Sequence, residues 1–157
     1  MSELSRRVEE KAAETGFAGV VHLGRSGIVE VDAAYGLADR RHRIPMTTDT
    51  QLGMASGSKT FTALVVLRLV EEGLLSLSTS ARDVLGTDLP LIADDVTIEH
   101  LLSHRSGIGD YLDEDELDSF ADYLMPVPVH ELTATEDYLV VLGGHPTKFP
   151  AGERFSY

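Results

Sequence analysis

Cysteine is absent from the 157 residues, which excludes disulfides, thiol nucleophiles and cysteine-ligated zinc. Basic residues are scarce: 13 Lys and Arg stand against 26 Asp and Glu, a formal charge of −13. That balance repels phosphate, so it excludes a nucleic-acid partner and disfavours anionic membrane surfaces. No apolar window reaches the length of a membrane span, and the opening Met-Ser-Glu-Leu-Ser-Arg-Arg lacks the apolar centre of a signal peptide. The expectation is a cytoplasmic protein, or an exported one whose leader has been removed. Aromatics are few at 6%, but 43% hydrophobic residues suffice for one folded domain with a core.

What the sequence does have is one concentrated apolar stretch, Ser56 to Gly73. Only Thr60, Thr62, Arg68, Glu71 and Glu72 interrupt its apolar residues. They cover every side of a 3.6-residue spiral, which predicts a helix buried on most faces. Ser56-Gly57-Ser58 supplies cap-forming residues at its start and Gly73 a left-handed stop at its end. Ser56 and Lys59 are three apart and share one face of the first turn. A serine hydroxyl needs a neighbouring base to act as a nucleophile; an amine serves where burial and the helix dipole disfavour its charged form. Ser-x-x-Lys also arises by chance, and its weight here comes from the Gly53-Met54-Ala55 lead-in and the apolar helix behind it.

Four stretches then fall in a recognisable order. Tyr35-Gly-Leu-Ala-Asp39 and Ile44-Pro-Met-Thr-Thr-Asp-Thr50 precede Met54-Ala-Ser-Gly-Ser-Lys59, and Leu69-Val-Glu-Glu-Gly-Leu-Leu-Ser-Leu77 follows. Together they resemble the serine β-lactamase and penicillin-binding-protein-like hydrolases, in particular the class C and esterase branch, for which Ser-x-x-Lys is a signature. Val96-Thr-Ile-Glu-His-Leu-Leu-Ser-His-Arg-Ser-Gly-Ile108 resembles that family's next helix and loop. Phe149-Pro-Ala-Gly-Glu-Arg-Phe-Ser-Tyr157 resembles the approach to its Tyr-x-Asn motif. The resemblance implies the N-terminal portion of an α+β fold, an α/β sandwich of the β-lactamase-like type. Its antiparallel sheet is flanked by helices, with a helical subdomain, and the sheet is incomplete in this chain.

In chain order, Leu4, Val8 and Ala12 at helical spacing predict an amphipathic helix ended at Gly16. Phe17–Leu23 and Ile28–Tyr35 predict a hairpin around Gly24-Arg-Ser-Gly27. Residues 39–50 read as a loop, and Ser78-Thr-Ser80 leads into a loose stretch to Asp95. Thr97 caps a short helix ending near Gly107. Asp110 to Asp118 holds six acidic residues in nine; without the Asp-x-Asp-x-Asp-Gly order of a calcium loop, it reads as a solvated turn entering a helix from about Leu117 to Met125. Thr133 with Glu136 predicts a capping box for a helix through Leu142, closed by Gly143-Gly144. The division is one domain over 1–157, with helix and hairpin in 1–55 and a mainly helical region in 56–157.

His100 and His104, four apart, can share a helix face, but no third ligand is placed and both read as structural or surface histidines. Arg25-Ser-Gly27 and Arg105-Ser-Gly107 loosely match the family's Lys-Thr-Gly-like tripeptide and sit in the wrong places for it. By resemblance, Ser56 attacks a carbonyl of a small ester, amide or β-lactam, while Lys59 and Tyr157 shuttle its proton, either able to act as base. The Ser56 backbone N–H is one oxyanion donor; the second belongs to a strand missing from the chain. No cofactor or metal is called for, and the partner is a small-molecule acyl substrate. A β-lactamase or D-amino-acid peptidase role is the runner-up, and a catalytically inactive binding remnant is the reading from another class. The native product is expected to be longer, with a C-terminal fragment or a second copy completing the sheet.

Overall fold

The structure, a computed structural model, describes residues 2–113, 119, 121 and 123–157. They divide into two compact units, Met1–Ala55 and Ser56–Tyr157.

In the first unit, helix α1 (Glu3–Thr15) is opened by Ser2, whose hydroxyl accepts from the Ser5 N–H, and closed by Gly16 in the left-handed conformation. Its inward face meets strand β2 (Ile28–Tyr35), where Ala12 and Val31 are buried. β2 pairs antiparallel with β1 (Gly19–Arg25), with Val21 opposite Ala33 and a bulge between Leu23 and Gly24. The connecting pair Ser26 and Gly27 both have positive φ, 50° and 78°, the turn geometry that matches strand twist. Among the described residues this sheet has only these two strands.

Residues 39–50 are not purely loop: β3 (Leu37–Asp39) and β4 (Ile44–Pro45) form a second, very short antiparallel pair. Asp39 organises its turn, accepting from the His42 N–H at 2.8 Å and lying 2.9 Å from His42 Nδ1. These bonds, the side-chain one first, hold its carboxyl below the usual carboxylate range.

A 3-10 turn, Ala55–Ser58, begins on the last residue of the first unit and runs directly into helix α2 (Lys59–Glu71) of the second. The expected cap is absent: Ser58 has helical backbone angles and no side-chain capping bond. The expected burial is absent too. No residue of α2 is buried, and Phe61, Leu64 and Val65 are 59%, 57% and 61% exposed. Only the stripe of Ala63, Val66, Leu69 and Val70 is half-buried. A helix apolar on all sides needs cover on all sides, and the described residues supply one. Its end follows the sequence, with Gly73 at φ 74° and the Leu74 N–H bonded to the Leu69 carbonyl.

The stretch expected to be loose is ordered. α3 (Ala81–Leu85) is capped by Ser80, and its Arg82 guanidinium donates to the carbonyls of Gly86, Asp88, Leu89 and Ile92 at 2.6–2.9 Å. Ala81 and Val96 beside it are each 1% exposed. One side chain thus ties down a turn that no periodicity signals. α4 (Ile98–Leu102) is capped by Thr97 as expected but stops at Ser103, short of Gly107.

The helix expected from about Leu117 to Met125 falls largely outside the described residues. The helix expected from Thr133 to Leu142 is a 3-10 turn (Thr135–Tyr138) followed by α5 (Leu139–Leu142). Its cap is Asp137 rather than Glu136: the Asp137 carboxylate accepts from the N–H groups of Ala134 and Thr133 at 2.7 and 2.8 Å. The shorter acidic side chain reaches back to both amides. No helix among the described residues is long and apolar enough to cross a membrane.

Candidate active site

Ser56 and Lys59 come together as their spacing dictates. Lys59 Nζ donates to Ser56 Oγ at 2.9 Å. Both residues are exposed, so the pair sits at the surface rather than in the apolar interior expected for it. Ala55, just before the serine, has φ +43°, a left-handed conformation uncommon for a residue with a side chain. Strain of this kind collects at functional turns.

Tyr157 joins them from the far end of the same unit. Lys59 Nζ lies 5.1 Å from the centroid of the Tyr157 ring, within reach of the attraction between a cation and an aromatic face. Serine, lysine and tyrosine, separated by about a hundred positions in sequence, thus share one locality.

What carries Tyr157 there is a pair of irregular segments. The Lys148 N–H bonds to the Gly107 carbonyl at 2.8 Å, Gly152 N–H to Arg105 at 2.8 Å, and Ser156 N–H to His104 at 2.9 Å. The Arg105 guanidinium adds a bond to the Gly152 carbonyl. Gly107 is buried at φ +65°, and a Cβ there would lie 2.0 Å from the Phe149 carbonyl oxygen. Only glycine lets the two segments approach so closely. Phe149 is 5% exposed between them, and Arg105-Ser-Gly107 is the wall of this pairing, not a strand lining a substrate.

Side chains around Tyr157 complete the locality. His104 packs against the Tyr157 ring at a tilt of 45° with centroids 4.7 Å apart, and meets Phe155 edge-on at 5.8 Å. Close by, Lys148 Nζ lies 3.2 Å from Ser156 Oγ and 2.7 Å from Asp113, this ion pair being largely withdrawn from solvent. A cavity of about 180 Å³ opens here, lined among others by Leu101, His104, Ile108, Leu142, Phe149 and Tyr157.

His104, Lys148, Asp113 and Ser156 do not stand out as site residues in the sequence. The one available signal is the alternation of Phe155, Ser156 and Tyr157, which sends two rings one way and a hydroxyl the other. His100 is occupied locally: its Nδ1 accepts from the Thr97 N–H while its own N–H bonds to the Thr97 hydroxyl. Among the described residues no group of three His, Asp or Glu side chains is gathered closely enough to hold a metal ion. Arg25-Ser-Gly27 lies in the hairpin turn of the other unit.

Comparison with known proteins meets this geometry from a different direction. A family model described as Beta-lactamase matches residues 4–157. Over 97 residues the chain is 42% identical to the esterase EstB of Burkholderia gladioli, covering 59% of this chain and 25% of that protein. It is 35% identical over 97 residues to penicillin-binding protein 4* of Bacillus subtilis (strain 168), covering 61% of this chain and 21% of the relative. The crystal structure of a penicillin-binding protein from Bacillus halodurans superposes with a TM-score of 0.80 at 38% identity, covering 96% of this chain and 45% of that one. The chain thus spans a quarter or less of the two curated relatives.

Proposed function

The chain belongs to the beta-lactamase family and has its α+β fold, with the sheet incomplete, and from that premise we propose that Ser56 is an acyl-accepting nucleophile for a small ester or amide. The observation that carries this reading is the 2.9 Å contact between Lys59 Nζ and Ser56 Oγ beside the ring of Tyr157.

The Ser56 oxygen adds to the substrate carbonyl as its proton passes to the Lys59 nitrogen or the Tyr157 oxygen, whichever of the two is in its deprotonated form. The same proton then goes to the leaving alcohol or amine, and water releases the acid in a second cycle. Ser56 is the second residue of the 3-10 turn Ala55–Ser58, among the first positions, where backbone N–H groups have no carbonyl within the helix to bond. Its own N–H therefore serves as an oxyanion donor. The ester preference rests on likeness to an esterase at 42% identity. β-Lactams and D-amino-acid peptides are the next substrates to try, on the likeness to penicillin-binding proteins.

Exposure of α2 splits the expectation in two. Covalent capture needs Ser56 and its neighbours; rapid turnover also needs water excluded from the site, so it stays slow until the apolar side of the helix is covered. Fluorophosphonate labelling read by peptide mass should modify Ser56 in the chain and vanish in Ser56→Ala, and nitrophenyl-ester and chromogenic cephalosporin hydrolysis then separate capture from turnover. Labelling that persists in Ser56→Ala would remove the serine from the mechanism. Absence of both labelling and hydrolysis would favour the inactive binding remnant.

A further inference from the structure

We propose that His104 is a positioning residue for Tyr157: its imidazole fixes the plane of the phenol ring below the Lys59 amine. The inference rests on the acyl-Ser56 reading for its catalytic consequence, but its geometry stands alone.

Two independent contacts converge on this histidine. Its backbone has φ +55°, the left-handed region where glycine is favoured and, among other residues, asparagine, aspartate and histidine are enriched. The ring touches both aromatics of the run it faces, Tyr157 at 4.7 Å and 45° and Phe155 at 5.8 Å and 76°. Such tilted and edge-on contacts favour particular ring orientations. Between those two side chains, the Ser156 N–H bonds to the carbonyl of His104 itself at 2.9 Å. One residue therefore holds the ring of the tyrosine and the backbone of the residue before it.

The consequence concerns the ring's direction. Tyr157 is 46% exposed, and a phenol on an irregular segment can swing about two side-chain torsions. Lys59 Nζ sits 5.1 Å from the ring centroid, so rotation of the ring changes how the phenol oxygen stands to the serine–lysine pair. Misplacement by about 1 Å in such a group costs roughly a hundredfold in rate in other enzymes.

His104→Asn is the informative variant, because asparagine tolerates the left-handed backbone while removing the ring. His104→Phe keeps a ring, and His104→Gly removes the side chain with least backbone strain. Two readouts apply to the whole chain: the ring resonances of Tyr157 in an aromatic carbon-proton NMR spectrum, assigned by Tyr157→Phe, and the rate of Ser56 labelling by a fluorophosphonate. With melting curves confirming the fold, His104→Asn and His104→Gly should collapse the Tyr157 ring shifts toward those of an unstructured tyrosine. The same variants should slow labelling roughly tenfold or more, and His104→Phe should restore most of the rate. Unmoved ring resonances in both ringless variants overturn the proposal. So does a labelling rate that falls equally in all three variants. If the unsubstituted chain does not label at Ser56, the acyl-enzyme reading fails, and the ring resonances still decide whether His104 orients Tyr157.

Discussion

Helix α2 and the paired segments 104–107 and 148–157 belong to the same unit and are opposites. α2 is the longest regular element there and none of its residues is buried. The paired segments contain no helix or strand, yet they withdraw Ser106, Gly107 and Phe149 from solvent and deliver Tyr157 to the lysine. Regularity comes from hydrogen bonds between near neighbours and needs no partner element. Placement of a distant side chain comes from contacts across long sequence separations, here three backbone bonds and a glycine. The serine–lysine side of the site therefore rests on local helix geometry, and the tyrosine side on tertiary closure.

The largest test of that contrast is Gly107→Ala. The added methyl meets the Phe149 carbonyl oxygen at 2.0 Å on a backbone already at φ +65°, so the two segments must separate. Loss of roughly 3 kcal/mol in urea unfolding is expected from overpacking plus left-handed strain. The Ser56–Lys59 contact should survive within whatever helix remains. A fully stable Gly107→Ala chain would mean that the pairing is looser than described.

A smaller effect is expected from Leu64→Gln. Leu64 is 57% exposed in α2, and glutamine forms helix about as well, so stability should change by no more than about 0.5 kcal/mol. A cost near 2–3 kcal/mol, the worth of a fully buried leucine, would show that this face is covered in solution. That result would erase the difference between the two regions.

The smallest effect is set by pH. Hydrogen bonds from Ala134 and Thr133 to the Asp137 carboxylate hold its pKa below the ordinary value. Because the folded value is depressed, the cap is fully present above the unfolded pKa and is lost as pH falls through the folded one. Amide exchange at Thr133 and Ala134 should quicken in that acid window, with α2 unaffected. Unchanged protection there would show that α5 does not depend on this carboxylate.

Elements whose cause is local were legible. The α1 boundaries follow from Leu4, Val8, Ala12 and Gly16, the β1–β2 hairpin from its β-rich runs, and the Ser56–Lys59 contact from three-residue spacing on one turn. Arg82 was not legible, because its four carbonyl partners lie along a turn with no periodicity. Asp137 outcompeted Glu136 through reach, which a motif of residue types does not encode. His104 read as an unremarkable surface histidine, since nothing near it in sequence announces the rings of Phe155 and Tyr157.

By itself the sequence determined where α1 starts and stops, that a hydroxyl and an amine share a turn, and which family the chain resembles. Each of these follows from residues within a few positions of one another, or from motifs in fixed order. Only the tertiary structure decided that the apolar helix lies exposed, that Gly107 is pressed against Phe149, and that a histidine faces the tyrosine ring. Those outcomes depend on which distant segments meet, and a one-dimensional pattern carries no record of what stands opposite a side chain.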